Sequence, residues 1–158
     1  MKLMVISVGA PRARGIAAAI AEYESRIPHY FKFETVEVRP QRLGGNVDRD
    51  TVVEKESGAL LERVPDGLQV IVLDERGKSW SSEELARYLE DLAVHGQAGA
   101  ALLIGGPLGT SQSLRERADH VLSLSSFTLP HEMARLLVAE QLYRAGTILR
   151  GEPYHRAG

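Results

Sequence analysis

The sequence of 158 residues contains no cysteine, so disulfides, thiolate metal sites and cysteine nucleophiles drop out of the chemistry open to it. It also lacks any apolar run near the ~18 residues that suggest a membrane span. The opening "MKLMVISVGA" carries a lysine and a short apolar run, but no small-x-small cleavage pattern follows and Gly9 ends it. It is therefore read as a buried strand rather than a secretory signal. Positive charge is not in excess either: the net charge is −2, so the overall field does not draw the chain onto nucleic acid, and an RNA partner has to be met by a local basic patch. No repeat or low-complexity tract is present. A single domain over residues 1–158 and a cytoplasmic setting are expected, with no membrane and no metal.

What is present is ordinary globular material, 44% hydrophobic and 25% charged. Apolar runs of strand length alternate with segments of helical period, the pattern of an α/β fold. Strands are expected at 2–8, 32–38, 69–74, 100–106 and 120–125, several apolar throughout, as parallel strands covered on both faces are. The expected architecture is a mostly parallel sheet of about five or six strands with helices on both faces.

Helix one, "IAAAIAEYESRI", should stop at Pro28. The segment 49–64 is weaker, with Val53, Leu60 and Val64 on one stripe and Gly58 against it. Ser81 and Glu84 form a capping box ahead of Leu85, Tyr88, Leu89 and Leu92. A short helix follows Ser111. The last helix runs from about Pro130, suited to a first helical position, to a stop at Gly151. The polar loop 39–50 is the element with least to hold it.

Three stretches are suited to chemistry. "LLIGGPLGTS" at 102–111 follows a strand and opens a helix, which places backbone amides at the carboxyl edge of the sheet where α/β proteins bind ligands. It is neither a Walker loop nor a dinucleotide fingerprint, and a simple tight turn is the competing reading. "LSLSSFTLPH" at 122–131 also joins strand to helix; its hydroxyls suit caps and turns, and no histidine and carboxylate are placed to make a serine nucleophile. In the last helix Met133, Leu137, Glu140 and Arg144 share a stripe, so two charges stand in line with apolar residues. Either they form an i, i+4 pair on a solvated edge, or they line a polar site at an interface. The tail places Tyr154, His155 and Arg156 together: an aromatic face, a titratable ring and a fixed cation, suited to holding a nucleotide.

"LLIGGPLG", "LSLSSFTLPHEMARLLVAEQLYRA", the closing "PYHR", the "MKLMVISVG" start and "VLDERGKSWSSEELA" at 72–86 together resemble the large-subunit (23S) ribosomal RNA pseudouridine N3-methyltransferase family of the SPOUT class. The resemblance covers the whole chain. It implies a deep C-terminal trefoil knot, which strand patterning does not reveal and which topology rules disfavour. It also implies S-adenosyl-L-methionine as cofactor, a homodimer, and a pseudouridine of ribosomal RNA in the assembled ribosome as acceptor. Carried over by motif, Leu73, Gly105, Leu124, Ser125, Ser126, Phe127, Thr128 and Leu129 would form the cofactor loops. Of the residues placed at the chemistry, His155 or Glu140 would accept the N3 proton and Arg144 or Arg156 would hold the developing negative charge. Tyr154 would stack and His131 shape the pocket. Arg39, Arg42, Lys78, Arg144, Arg150 and Arg156 are candidate RNA contacts.

One departure stands out: Leu108 occupies the glycine turn where an acidic residue is expected. It motivates an alternative, a non-catalytic ribosome-binding or assembly factor that retains the fold. Without the resemblance, an unknotted flavodoxin-like module using "GGPLG" for a phosphate stays open.

Overall fold

The computed structural model describes residues 1–157. Strand and helix alternate: β1 Lys2–Val8, α1 Arg14–Arg26, a 3-10 turn Ile27–His29, β2 Lys32–Val38, α2 Arg49–Glu62, β3 Gln69–Ser79, α3 Ser82–Val94, β4 Gly99–Ile104, α4 Gln112–Arg117, β5 His120–Ser123, α5 His131–Leu149 and α6 Tyr154–Ala157. The five strands form one sheet in the order β2-β1-β4-β3-β5, every pairing parallel. Successive strand residues point to opposite faces, and both faces are covered. Leu3, Val5, Ile71 and Leu102 pack with residues of α3 and α5, while Met4, Ile6, Val72 and Leu103 pack with Leu60 of α2 and Leu114 of α4. That is why these strands read as continuous apolar runs.

Two strands match their expected limits; β3 runs on past Asp74 to Ser79, and β4 and β5 end two residues early, at Ile104 and Ser123. The extension of β3 is unusual. Leu122 of β5 is in register with both Leu73 and Lys78 of β3. Between them Gly77 lies so close to β5 that a Cβ would stand 2.4 Å from the Val121 carbonyl oxygen, so only glycine fits there.

The capping box of α3 is present, with Glu84 N donating to Ser81 Oγ (3.1 Å) and Ser81 N to Glu84 Oε2 (2.6 Å). Helix α1 begins without a side-chain cap of its own; instead Glu132, at the start of α5, accepts from Arg12 N at 2.6 Å and Ala13 N at 3.4 Å. Pro130 is the residue before α5 rather than its first turn, and Gly151, at φ +68°, follows the helix as expected.

Two expected helix faces are rotated. On α2 the buried residues are Val52, Glu56, Ser57 and Leu60, not the stripe through Val53 and Val64. On α5 they include Arg135, Val138, Ala139, Leu142, Ala145 and Gly146, whereas Met133, Leu137, Glu140 and Arg144 are only half-buried. Val138, Ala139, Leu142 and Ala145 make that face apolar, and Arg135 joins it with a side chain only 7% exposed. Its Nε and Nη2 donate to the two carboxylate oxygens of Glu24 (2.9 and 3.2 Å) and its Nη1 to Glu37 (2.8 Å). A position that reads as polar surface thus finds its partners inside, in carboxylates from α1 and β2.

Arg135→Ala would leave both carboxylates without their cation, and a loss of about 3 kcal/mol is expected. Urea denaturation should show it as a lower midpoint at unchanged slope; an unshifted midpoint would mean that the pairs contribute nothing.

Candidate active site

Because all five strands are parallel, the loops following β3, β4 and β5 emerge at one edge of the sheet. They enclose a cavity of about 550 Å³, in the range that holds small-molecule ligands. Leu73 and Asp74 line it from β3, residues 104–110 from β4, Leu124, Ser125, Phe127, Thr128, Leu129 and Pro130 from β5, and His131 with Ala134 from the first turn of α5. Of the residues expected at the cofactor, only Ser126, exposed, lies off this wall.

Close backbone contact shapes the glycine turn of the wall. A Cβ on Gly105 would stand 2.8 Å from the Gly109 carbonyl oxygen. Gly109 N closes the turn on Gly106 O at 2.9 Å, with Gly109 at φ +85° and Pro107 and Leu108 at the tip. Hydroxyls hold the other loop as turn formers: Ser125 Oγ accepts from Phe127 N at 2.9 Å, Ser123 Oγ donates to Ser125 O at 3.0 Å and Thr128 Oγ1 to Glu75 at 3.0 Å. The Phe127 ring is 83% exposed at the rim.

Asp74 was not among the expected site residues. Its side chain is 5% exposed and accepts from Thr110 Oγ1 at 2.7 Å and from Arg76 N at 2.9 Å, with Arg115 Nη1 3.6 Å away. Burial alone would raise its pKa, but the Thr110 hydroxyl, the Arg76 amide and the two guanidinium groups together hold it below the usual carboxylate value. An ionised carboxylate therefore faces the cavity although Leu108 does not supply one. The sequence signal was the single acid closing the apolar run "QVIVLD".

A second polar cluster lies further along α5. Arg144 Nη2 and Nε donate to Glu140 Oε1 (2.7 and 3.0 Å), which also accepts from Tyr154 OH at 3.0 Å, and the guanidinium lies 4.8 Å from the Tyr154 ring centroid. Burial, followed by its hydrogen bonds, pushes the Tyr154 pKa well up. His155 Nδ1 is 3.3 Å from Arg144 Nη1, and its Nε2 is 2.8 Å from Glu83 of α3. Guanidinium only donates and carboxylate only accepts, so the ring accepts at Nδ1 and donates from Nε2. Glu83 was not anticipated, since it meets the tail only in three dimensions.

Glu140, Arg144, Tyr154 and His155 are thus brought together. His131 stands apart from them in the cavity wall, and Arg156 is exposed. Thirteen residues of helix separate His131 from Arg144, roughly 20 Å along the axis. Among the candidate RNA contacts Arg39, Arg42 and Lys78 are exposed, whereas Arg150 donates to His29 O at 2.8 Å.

A family model described as "Predicted SPOUT methyltransferase" matches residues 1–155. A Gemmatimonas aurantiaca protein named ribosomal RNA large subunit methyltransferase H is 42% identical over 156 residues, covering 99% of this chain and 100% of that one. A protein of the same name from Laribacter hongkongensis is 41% identical over 156 residues, with 99% of each chain covered. The crystal structure of a probable methyltransferase from Bordetella pertussis Tohama I superposes with a TM-score of 0.55 at 19% identity, over 90% of this chain and 95% of that one; it supports the fold.

The depressed pKa of Asp74 carries a pH signature. A carboxyl that is more acidic folded than unfolded stabilises the protein above its unfolded pKa, and that contribution is lost as pH falls through the folded value. Asp74→Asn should therefore flatten the acid limb of a stability-against-pH curve. An acid limb identical to that of the unaltered chain would show that Asp74 is not ionised in this way.

Proposed function

The chain belongs to the SPOUT methyltransferase family, and we propose that it methylates ring nitrogen N3 of a pseudouridine in large-subunit ribosomal RNA, on the assembled ribosome, as a cytoplasmic homodimer. The observation that carries this reading is the pairing of a cavity at the strand ends with a charged cluster that lies about 15 Å beyond Ala134 of its wall on the same helix. The residues present fit S-adenosyl-L-methionine: the cavity is large enough, its glycine turn admits close backbone approach, and Asp74 offers negative charge toward a sulfonium. Bound there, the cofactor supplies an electrophilic methyl group.

Within one chain Arg144 stands ten residues, about 15 Å, along α5 from Ala134 of the cavity wall, a gap that a second subunit could close. The stripe that holds them also presents half-buried Met133 and Leu137, a face suited to a second copy. In a two-fold dimer a surface patch meets its own copy, which allows the cluster of one subunit to reach the cavity of the other. The family also implies a trefoil knot at the C-terminal end of the sheet.

N3 sits between two ring carbonyls and carries a proton, so methylation needs that proton to leave and the resulting charge to be held. Arg144, oriented by Glu140, is the group suited to stabilise charge on a neighbouring carbonyl oxygen. Glu140 is poorly placed as a base, because Oε1 already accepts from Arg144 and Tyr154 and Oε2 from Gln141 at 2.7 Å. His155 can take the proton at Nδ1 once Arg144 turns to substrate. Tyr154, protonated and stacked under the guanidinium, steers rather than titrates. Placement supplies the larger part of the rate, since orientation alone is worth about 7–11 kcal/mol.

Ribosomes from cells lacking this protein should lose one N3-methyl mark on a pseudouridine, seen by mass spectrometry of digested RNA, and the purified protein with S-adenosyl-L-methionine should restore it. An unchanged modification profile, together with no methyl transfer to those ribosomes, would leave the non-catalytic ribosome-binding reading.

A further inference from the structure

Glu56 is a carboxylate only 3% exposed, on a helix face it shares with Val52 and Leu60. Buried carboxylates are costly unless their oxygens are engaged. Its Oε2 accepts from Gln41 N at 3.0 Å. Among the described residues this is the only hydrogen bond that ties residues 41–47 to an element outside their loop. Its Oε1 points at the glycine turn: a Cβ on Gly106 would stand 2.9 Å from that oxygen and 3.3 Å from Val8 Cγ1.

The next residue, Ser57, accepts from Ser111 N at 2.9 Å. Adjacent residues of α2 thus meet the two ends of the turn, and one of them also holds the loop that carries Arg42. Arg42 is exposed, with a side chain suited to phosphate.

We propose that Glu56 is a positioning residue that couples the 39–48 loop to the glycine turn of the cavity, so that the loop's docked position and occupancy of the cavity favour each other. One carboxylate oxygen holds Gln41 N and the other faces the space beside Gly106 that a Cβ would fill, so a shift of the Gly106 backbone toward it would displace the oxygen that holds Gln41. By linkage the two effects are equal in size. A loop with one tether docks or detaches as that tether is made or lost, which is how RNA phosphate on Arg42 would be felt at the cofactor. The inference rests on the reading of the cavity as the cofactor site, but the contact between loop and turn is testable without any ligand.

Brief native trypsin digestion reports the loop, because the bond after Arg42 is cleavable whereas Pro40 protects the one after Arg39. In the ligand-free protein Glu56→Ala should speed cleavage after Arg42 about tenfold, the size expected from a lost hydrogen bond to a charged group. Glu56→Gln, which keeps an acceptor for Gln41 N, should stay close to the unaltered chain and guards against an effect of misfolding. Gly106→Ala should speed cleavage in the unaltered chain and add nothing in the Glu56→Ala background, the non-additivity of a shared contact. Simple additivity, or no effect of Glu56→Ala, overturns the proposal. Calorimetry with S-adenosyl-L-methionine separates the two readings. Weaker binding by Glu56→Ala supports the coupling, equal binding overturns its cofactor arm, and no binding to the unaltered chain overturns the cavity assignment while the digestion cycle still decides the link.

Discussion

Arg135 is held in the interior between Glu24 of α1 and Glu37 of β2, and together with Val138, Leu142 and Ala145 on the same buried face it fixes which side of α5 meets the sheet. The proposed sharing of α5 between cavity and cluster follows from that orientation. The first turn of the helix is brought to the carboxyl edge of β3, β4 and β5, where His131 and Ala134 become cavity wall. Glu140 and Arg144 are left at the half-buried boundary, within reach of Tyr154 and His155. Cavity wall and cluster thus stand at different heights along α5, the separation that the proposed shared site would bridge with a second copy of the chain.

The loops around the cavity depend on close backbone approach at three glycines. Gly105 lets the turn fold back on Gly109, Gly106 makes room for Glu56, and Gly77 lets an arm of β3 pass beside β5. Such a wall offers amides, carbonyls and shape, which suit a cofactor with a sugar and an amino-acid end. Asp74 adds the one buried carboxylate of the wall, held ionised by Thr110 and two arginines. Leu108 brings no charge to the turn, and the negative charge of the wall comes from the neighbouring strand.

The sheet was largely legible before any coordinates. β1 and β2 match residue for residue, since parallel strands buried on both faces announce themselves as apolar runs. The capping box of α3 was legible for a local reason: its two partners lie three residues apart. Where reading failed, the partner was distant in sequence. Arg135 and Glu56 look like surface residues by type although their period places them on buried faces, and Glu24, Glu37 and the Gln41 amide supply their partners there. The start of α1 depends on Glu132, about 120 residues later. The arm of β3 beyond Asp74 carries Glu75, Arg76 and Lys78, polar and exposed, so no apolar pattern could mark it as strand. The cavity loops were identified by motif, and the structure brings nearly all of them together. The grouping of the tail with α5 was suggested by residue type, but its tie to Glu83 was not.

The proposal that each active site is shared between two copies is tested most directly by mixing two inactive variants. Gly105→Arg forces the glycine turn apart and so disrupts the cavity while leaving the Arg144 cluster intact; Arg144→Ala removes the cluster's cation and leaves the cavity intact. After subunit exchange a mixed dimer would hold one complete site, so methyl transfer to undermethylated ribosomes should return to about a quarter of the unaltered activity. If the mixture stays as inactive as either variant although mixed dimers have formed, cavity and cluster do not act across the dimer, and the shared-site account is wrong.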